Sequence, residues 1–110
     1  MNLLNSHCLP NAAKLDHAAL AALLVQVPQW AIEDGLLVRR FAFRNYYQCI
    51  AFVNALAWVS HQQDHHPELV VTFKQCVVRY NTHSAGGALS ENDFICAAMA
   101  DAIYGQRATA

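Results

Sequence analysis

Residues 61–67, with the sequence HQQDHHP, hold three histidines, an aspartate and a proline within seven positions. Neutral imidazole offers one hydrogen-bond donor and one acceptor, and its pKa lies near neutral pH. Two adjacent imidazoles can therefore deliver one proton and remove another within one reaction. His65 and His66 directly precede Pro67, which disfavours the helical conformation in the residue before it. We expect both rings to project past a helix end into a cleft.

The same stretch also resembles a pair of metal ligands on one helix face, because His61 and His65 stand four residues apart. A protease-type zinc site needs glutamate after the first histidine, and Gln62 stands there instead. His66 and His83 could add ligands, so a metal-binding domain stays an alternative, although the sequence favours no metal. For His61 itself we favour a solvated or interfacial residue on the last helical turn.

Three residues distant from this stretch could complete a site. His83 is followed by Gly86 and Gly87, which permit close approach of a ligand, so His83 could form a third wall. Asp93 is expected chiefly to cap a helix in its first turn, with a ligand-facing role as the alternative. Trp30 could stack on a flat heterocycle, although we favour core packing for it.

Hydrophobic spacing and turn residues predict the elements that carry these side chains. In order, they are a helix over 11–27, strands over 29–32 and 36–43, a helix over 44–63, strands over 69–73 and 76–82, and a helix from residue 90 to about 104. Asn45 is a suitable N-cap for the second helix, and Ser90 with Asp93 forms a capping box for the third. We expect one α+β domain over residues 1–110, an antiparallel four-stranded sheet with helices on one face.

The long predicted helix is apolar on both sides. Its first face carries Cys49, Phe52, Val53, Leu56 and Val59, and its back carries Tyr47, Ile50, Ala51 and Trp58. Of the 110 residues, 55% are apolar and only 14% are charged. The chain therefore has more apolar side chains than one small core needs to bury. A second subunit is the expected partner of the helix's back.

Charge, hydropathy and cysteine content limit the classes of partner that we expect and the cellular compartment. The formal net charge is −1 and the basic residues are scattered singly, so we expect no nucleic-acid partner. No apolar run reaches the roughly 20 residues that span a bilayer, and the N-terminus does not resemble a signal peptide. The four cysteines form no C-x-x-C pair, so we expect reduced thiols and a cytoplasmic location.

Spaced residues across about thirty positions resemble the signature of the pterin-4a-carbinolamine dehydratases. The residues that match by type and spacing are His61, His65, His66, Pro67, Phe73, His83 and Asp93. Trp30 and the segments 39–43 and 85–93 also resemble the family's sequences at the corresponding positions. The resemblance covers roughly residues 20–102. It implies a subunit that assembles into dimers and often tetramers.

The resemblance also implies dehydration of 4a-hydroxytetrahydropterin to the quinonoid dihydropterin, within tetrahydrobiopterin recycling, with no metal or organic cofactor. Histidines at the positions of His65, His66 and His83 then form the active site. Loss of the 4a-hydroxyl requires a proton on the leaving oxygen, while the ring nitrogen sheds one. We assign proton transfer to His65 and His83, and positioning of the pterin to His66. The other residues expected around the substrate are Trp30, His61, Asp64, Pro67 and Asp93.

Three positions depart from the family's pattern. His61 replaces a common glutamate, and we expect Asp64 to orient the neighbouring imidazole instead. Leu69 replaces an aromatic residue, and Asn45 replaces an aspartate that would cap equally well. The alternative function is a non-catalytic binding protein on the same fold, either a dimerisation cofactor of a homeodomain transcription factor or a Rubisco assembly chaperone. A scaffold has no need of all three histidines, so we favour the enzyme.

Overall fold

The computed structural model describes residues 1–106, so the last four residues of the predicted domain lie outside the described part. Its elements are α1 (His17–Gln26), β1 (Ala31–Glu33), β2 (Leu36–Ala42), α2 (Tyr46–Gln63), β3 (Glu68–Val71), β4 (Gln75–Tyr80) and α3 (Glu91–Gly105). Two single 3₁₀ turns add Leu3–Asn5 and His83–Ala85. The predicted α+β class and the predicted order of helices and strands are confirmed.

The four strands form one antiparallel sheet in the order β1-β2-β4-β3. Each hairpin pairs its own two strands, and the two hairpins join where β2 pairs with β4. In this register Leu37 lies opposite Tyr80, and Phe41 lies opposite Cys76. Because side chains alternate along a strand, these four residues share one face of the sheet. All four are fully buried, so this face is the floor of the core.

All three helices cover that same face. The core cluster joins the inward side chains of β2 and β4 to residues of α1, α2 and α3, namely Leu23, Cys49, Phe52, Leu56, Phe94, Ile95, Cys96, Ala97 and Ala100. The opposite face carries two ion pairs, Arg40 with Glu33 and Arg79 with Glu68. Both predicted caps are present, since Asn45 accepts from the backbone of Gln48 and Ser90 heads a capping box. The helices lie on one face, as the sequence predicts.

The predicted start of the first helix at residue 11 is wrong. Helix α1 begins at His17, where the side chain of Asp16 accepts a hydrogen bond of 2.8 Å from the backbone N–H of Ala19. Asn11 adopts a positive φ of 57°, which cannot continue a right-handed helix. The chain before α1 instead runs across α3, and Leu15 N–H donates to the carbonyl of Leu89.

Strands β1 and β3 are shorter than predicted. Trp30 N–H donates to the carbonyl of Val27, which places Trp30 in a turn before β1. Thr72 N–H donates to the carbonyl of Gln75, so a turn closes the second hairpin and Phe73 lies in that turn. Within residues 1–106, no helix combines the length and the apolar character needed to cross a membrane.

Arg39 is the one charged side chain on the inward face of β2. Its guanidinium lies 2.6 Å from the carboxylate of Asp101 on α3 and 4.3 Å from the ring centroid of Phe41. The same Asp101 oxygen accepts a hydrogen bond of 2.8 Å from the indole N–H of Trp30. Two groups from the sheet side therefore share one helix carboxylate, which is how a charge is accommodated at the margin of the core.

Candidate active site

The sheet register brings the distant histidines to one place. Glu68, the first residue of β3, lies opposite Arg79, the penultimate residue of β4. Because the two strands are antiparallel, the segment before β3 and the segment after β4 leave the sheet at the same end. His65 and His66 belong to the first segment, and His83 belongs to the second. Pairing of two strands thus places histidines seventeen residues apart around one cleft.

The end of α2 sets the direction of His65. Asp64 takes the left-handed conformation, with φ 49° and ψ 42°, and so ends the helix. The next backbone N–H, that of His65, donates to the carbonyl of Ser60 at 3.2 Å. This pairing is typical of a helix that ends on a left-handed residue. The chain therefore turns sharply at Asp64, and Pro67 follows before β3.

A cleft of about 270 Å³ opens at this end of the molecule. The side chains and backbone that line it are those of Leu9, Pro10, Asn11, Asp64, His65, His66, Asn81, Thr82, His83, Ser84 and Asn92. The three predicted catalytic histidines are thus brought together, with Asp64 beside them. Trp30, His61, Pro67 and Asp93 are not among the residues that line the cleft.

Asp93 lies directly behind His65. Its Oδ1 is 2.6 Å from Nε2 of His65, and the carboxylate is completely buried. Its Oδ2 accepts hydrogen bonds from the backbone N–H of Ser90 and the hydroxyl of Thr82, at 2.9 and 2.8 Å. Asp93 therefore completes the predicted capping box and also orients the histidine. Asp64, for which we expected the orienting role, also lines the cleft, but the carboxylate that reaches the ring of His65 is that of Asp93.

The environment of His65 raises its pKa above the ordinary value. Burial is the largest influence and would by itself lower the pKa of His65. The hydrogen bond and charge of Asp93 act in the opposite direction, with smaller contributions from Cys8 and Asp64, and together they prevail. A pKa raised in this way keeps more of the imidazole protonated near neutral pH.

The hydrogen bond to Asp93 also decides which nitrogen of His65 is available for chemistry. Nε2 faces a carboxylate, which can only accept, so Nε2 carries a proton in both charge states of the ring. Nδ1 is then the nitrogen that gains and loses a proton. The ring is held from its flat side too, since it stacks on Tyr80 with centroids 5.9 Å apart and planes 9° apart.

His66 and His83 are both exposed side chains of the cleft. His83 opens a 3₁₀ turn, and two positive-φ glycines close the loop behind it: Gly86 N–H donates to His83 and Gly87 N–H donates to Thr82. The left-handed conformation of these glycines is what the turn requires. The loop presents His83 next to Thr82, whose hydroxyl reaches Asp93.

The structure places the other predicted residues apart from the cleft. Trp30 is only 3% exposed, so its ring packs in the core, as we favoured, and is not free to stack on a substrate. Its ring contacts Phe41 and Tyr80, with centroids 5.8 Å away in each case. His61 is exposed, and its ring lies 6.2 Å from that of Trp58. Pro67 is half-buried between the histidine pair and β3.

Seven residues that line the cleft were not predicted as site residues. Thr82 and Ser84 flank His83, Asn81 lies two positions before it and Asn92 precedes Asp93, so proximity in sequence was an available signal. The other three are Leu9, Pro10 and Asn11. No sequence pattern indicated a site there, and residue 11 was predicted to begin a helix.

Two further observations concern metals and other cavities. Among residues 1–106, no group of three or more His, Cys, Asp or Glu side chains is arranged to hold a metal ion. A larger cavity of about 570 Å³ lies between α2 and α3, but neither histidine nor carboxylate lines it. The histidine cleft is therefore the better candidate for acid–base chemistry.

Solved structures resemble this fold. The crystal structure of a transcriptional coactivator/pterin dehydratase from Brucella melitensis superposes with a TM-score of 0.79 at 26% identity, covering 84% of this chain and 99% of that one. A pterin dehydratase-like protein identified as a RuBisCO assembly factor in the alpha-carboxysome gives a TM-score of 0.58 at 27% identity, covering 69% of this chain and 87% of that one.

Sequence comparison is more specific. A protein of Xanthomonas campestris pv. campestris (strain B100), named as a candidate pterin-4-alpha-carbinolamine dehydratase, is 54% identical over 110 residues, which cover 96% of this chain and 92% of that protein. The model of the family described as pterin 4 alpha carbinolamine dehydratase matches residues 13–103. The chain belongs to the pterin 4 alpha carbinolamine dehydratase family.

Proposed function

We propose that this protein is a hydro-lyase that dehydrates 4a-hydroxytetrahydropterin to the quinonoid dihydropterin. The observation that carries the proposal is the buried pair of His65 and Asp93, at 2.6 Å, in a cleft that His66 and His83 also line. Membership of the family supplies the substrate class. The physiological context that we propose is recycling of tetrahydrobiopterin in the cytoplasm, a compartment that suits four cysteines with free thiols.

The reaction needs two proton transfers. The C4a–O bond breaks, and the oxygen leaves as water after it takes a proton from a general acid. The lone pair of N5 forms the C4a=N5 double bond, and the N5–H proton then passes to a general base. Positioned acid–base groups typically accelerate such steps by roughly 10²- to 10⁴-fold, and the balance of atoms requires no metal or organic cofactor.

We assign the acid to His65 and the base to His83. The environment of His65 raises its pKa, so a larger fraction of its Nδ1 is protonated near neutral pH, and that proton can pass to the leaving oxygen. His83 is exposed and lies in a loop of its own, so it can accept the N5 proton and release it to water. His66 lies between them in sequence and is exposed in the cleft. Its role is to position the pterin ring by hydrogen bonds.

The test follows dehydration of 4a-hydroxytetrahydropterin, generated by a pterin-dependent hydroxylase, with and without the protein. We expect wild type to accelerate the reaction and a His65→Ala/His83→Ala double variant to lose roughly 10²- to 10⁴-fold of that acceleration. His61→Ala is the matched control, because His61 is exposed and lies outside the cleft. Equal acceleration by the double variant and by wild type contradicts the mechanism.

A non-catalytic role is the second candidate. The two similar solved structures are of a transcriptional coactivator/pterin dehydratase and of a pterin dehydratase-like RuBisCO assembly factor. The observation that favours such a role here is the exposed aromatic surface of α2, where Tyr47 is 83% and Trp58 is 63% exposed. This surface lies outside the cleft, so a binding role predicts that the double histidine variant keeps its partner. The partner that we propose for this surface is a second copy of the chain, giving a homodimer or homotetramer.

A further inference from the structure

A segment before α1 forms one wall of the cleft. We call residues 8–11 the strap. Leu9, Pro10 and Asn11 line the cleft together with the three histidines. The family match begins at residue 13, so the strap lies outside the part of the chain that carries the family's pattern. The histidine chemistry and the strap therefore come from separate parts of the sequence.

The strap is held against α3 by directed contacts. The backbone N–H of Leu9 donates to Oδ1 of Asn92 at 3.0 Å, and Nδ2 of Asn92 donates to the carbonyl of Leu9 at 2.8 Å. Asn92 itself is buried. One residue earlier, Cys8 N–H donates to the side chain of Gln63 at 2.8 Å, and its Sγ lies 3.5 Å from that of Cys96. A buried amide that satisfies both backbone groups of one residue fixes that residue's position.

Consecutive residues of α3 thus position two walls of the site. Asn92 holds Leu9, and Asp93 holds His65. Movement of the strap away from α3 has to break the paired hydrogen bonds between Asn92 and Leu9. The first turn of α3, which the capping box at Ser90 stabilises, therefore holds the strap and His65 in the same part of the cleft.

The backbone of Leu9 is paired with Asn92, whereas the side chains of residues 9–11 are exposed and remain available to a ligand. Leu9 is 65% exposed although it is apolar, and Pro10 beside it is exposed too. Asn11 adds one exposed amide group, presented from a left-handed backbone with φ 57°. Two apolar side chains with a single amide suit a short alkyl chain that carries hydroxyl groups, rather than a charged group.

A pterin substrate carries such a group next to its reacting atoms. If C4a and N5 lie at the histidines, as the proposed function requires, the C6 substituent is bonded directly beside N5 and is the first variable part of the molecule. We propose that residues 9–11 contact the C6 substituent and select among pterins that differ there. This inference rests on the proposed function and assigns the strap as its specificity-determining element.

The test compares two 4a-hydroxytetrahydropterins, one with a dihydroxypropyl group and one with a methyl group at C6. We expect Leu9→Ala and Asn11→Gly to raise KM for the dihydroxypropyl substrate by roughly 10-fold, the scale of a few lost contacts in a pocket. The KM for the methyl substrate should change by less than about 2-fold, because that group is too short to need the strap. Glycine is chosen at residue 11 because it accepts the positive φ found there.

Val25→Ala is the matched control, since Val25 is an apolar residue of α1 that is 78% exposed and remote from the cleft residues in sequence. A parallel titration measures binding of the dihydropterins with the same two substituents, which needs no turnover. The inference alone is overturned if wild type accelerates dehydration but both strap variants change the two KM values equally or leave both unchanged. Wild type that neither accelerates dehydration nor binds either dihydropterin overturns the proposed function and this inference together.

Discussion

Oδ1 of Asp93 lies 2.6 Å from Nε2 of His65, although the two residues are 28 positions apart in the chain. The same carboxylate accepts from Ser90 and Thr82 through its other oxygen. One buried side chain therefore joins the end of α2, the end of β4 and the start of α3. The charge that stabilises a helix terminus is the charge that tunes the candidate acid.

Replacing Asp93 by asparagine should separate these roles. An amide has one accepting oxygen, so either His65 faces an N–H₂ group or the cap at Ser90 is lost. In the first case Nε2 of His65 has to accept, so the ring is held neutral with its one proton on Nδ1, and a neutral imidazole is a much weaker acid than the imidazolium. We expect kcat to fall by about 10²-fold and the pH limb that reports His65 to move to lower pH.

Glu91→Gln is the control for that measurement, because Glu91 lies in the same helical turn but is exposed. A loss of stability with an unchanged pH profile in Asp93→Asn would show that Asp93 serves the helix alone.

The raised pKa of His65 also makes stability depend on pH. The folded state binds this proton more tightly than the unfolded state does, so protonation stabilises the fold. The contribution is fully present below the unfolded pKa of about 6.5 and disappears as pH rises through the folded pKa. His65→Gln keeps a donor for Asp93 but does not titrate. We expect the unfolding free energy of wild type minus that of this variant to decrease from acidic toward alkaline pH.

Denaturant titrations at several pH values measure this difference, and subtraction of the variant removes the groups that titrate in both proteins. A difference that stays constant, or that grows with pH, would be inconsistent with the raised pKa.

Asp101 should matter to stability more than an exposed carboxylate does. Removing its side chain leaves the buried indole N–H of Trp30 and the largely buried guanidinium of Arg39 without their acceptor. We expect Asp101→Ala to lower the unfolding free energy by roughly 1–3 kcal/mol. Glu33→Ala is the matched control, because it removes an ion pair with Arg40 that is exposed on both sides. Equal losses in the two variants, measured by denaturant unfolding, would argue against the shared role of Asp101.

The exposed back of α2 predicts self-association. Tyr47 and Trp58 are exposed and Ile50 is half-buried, on the side of the helix that faces away from the core. We expect wild type to sediment as a dimer or tetramer at micromolar concentration, and Tyr47→Ser/Trp58→Ser to shift toward the 12.2 kDa subunit. Val25→Ser changes an equally exposed apolar residue on α1 and should leave the mass unchanged. A wild-type protein found only at 12.2 kDa would exclude the interface.

The sequence was sufficient for the elements that depend on local chemistry. Asn45 and Ser90 with Asp93 are capping residues in any helical context, and the alternating strands around a glycine turn predict their own pairing. Where two local signals competed, the prediction failed. Alanine-rich spacing favoured a helix from residue 11, but Asp16 is the better cap and Asn11 takes a left-handed backbone.

Site residues divide in the same way. By itself, the sequence determined that His65 and His66 lie between the end of one helix and a proline and that Asp93 lies in the first turn of another, because these depend on neighbours within a few residues. Only the tertiary structure decided that Asp93 reaches His65, that Trp30 is buried against Tyr80 and that the strap closes the cleft. Those relationships arise from the pairing of β3 with β4 and the packing of α3, which join residues too distant for local patterns to relate.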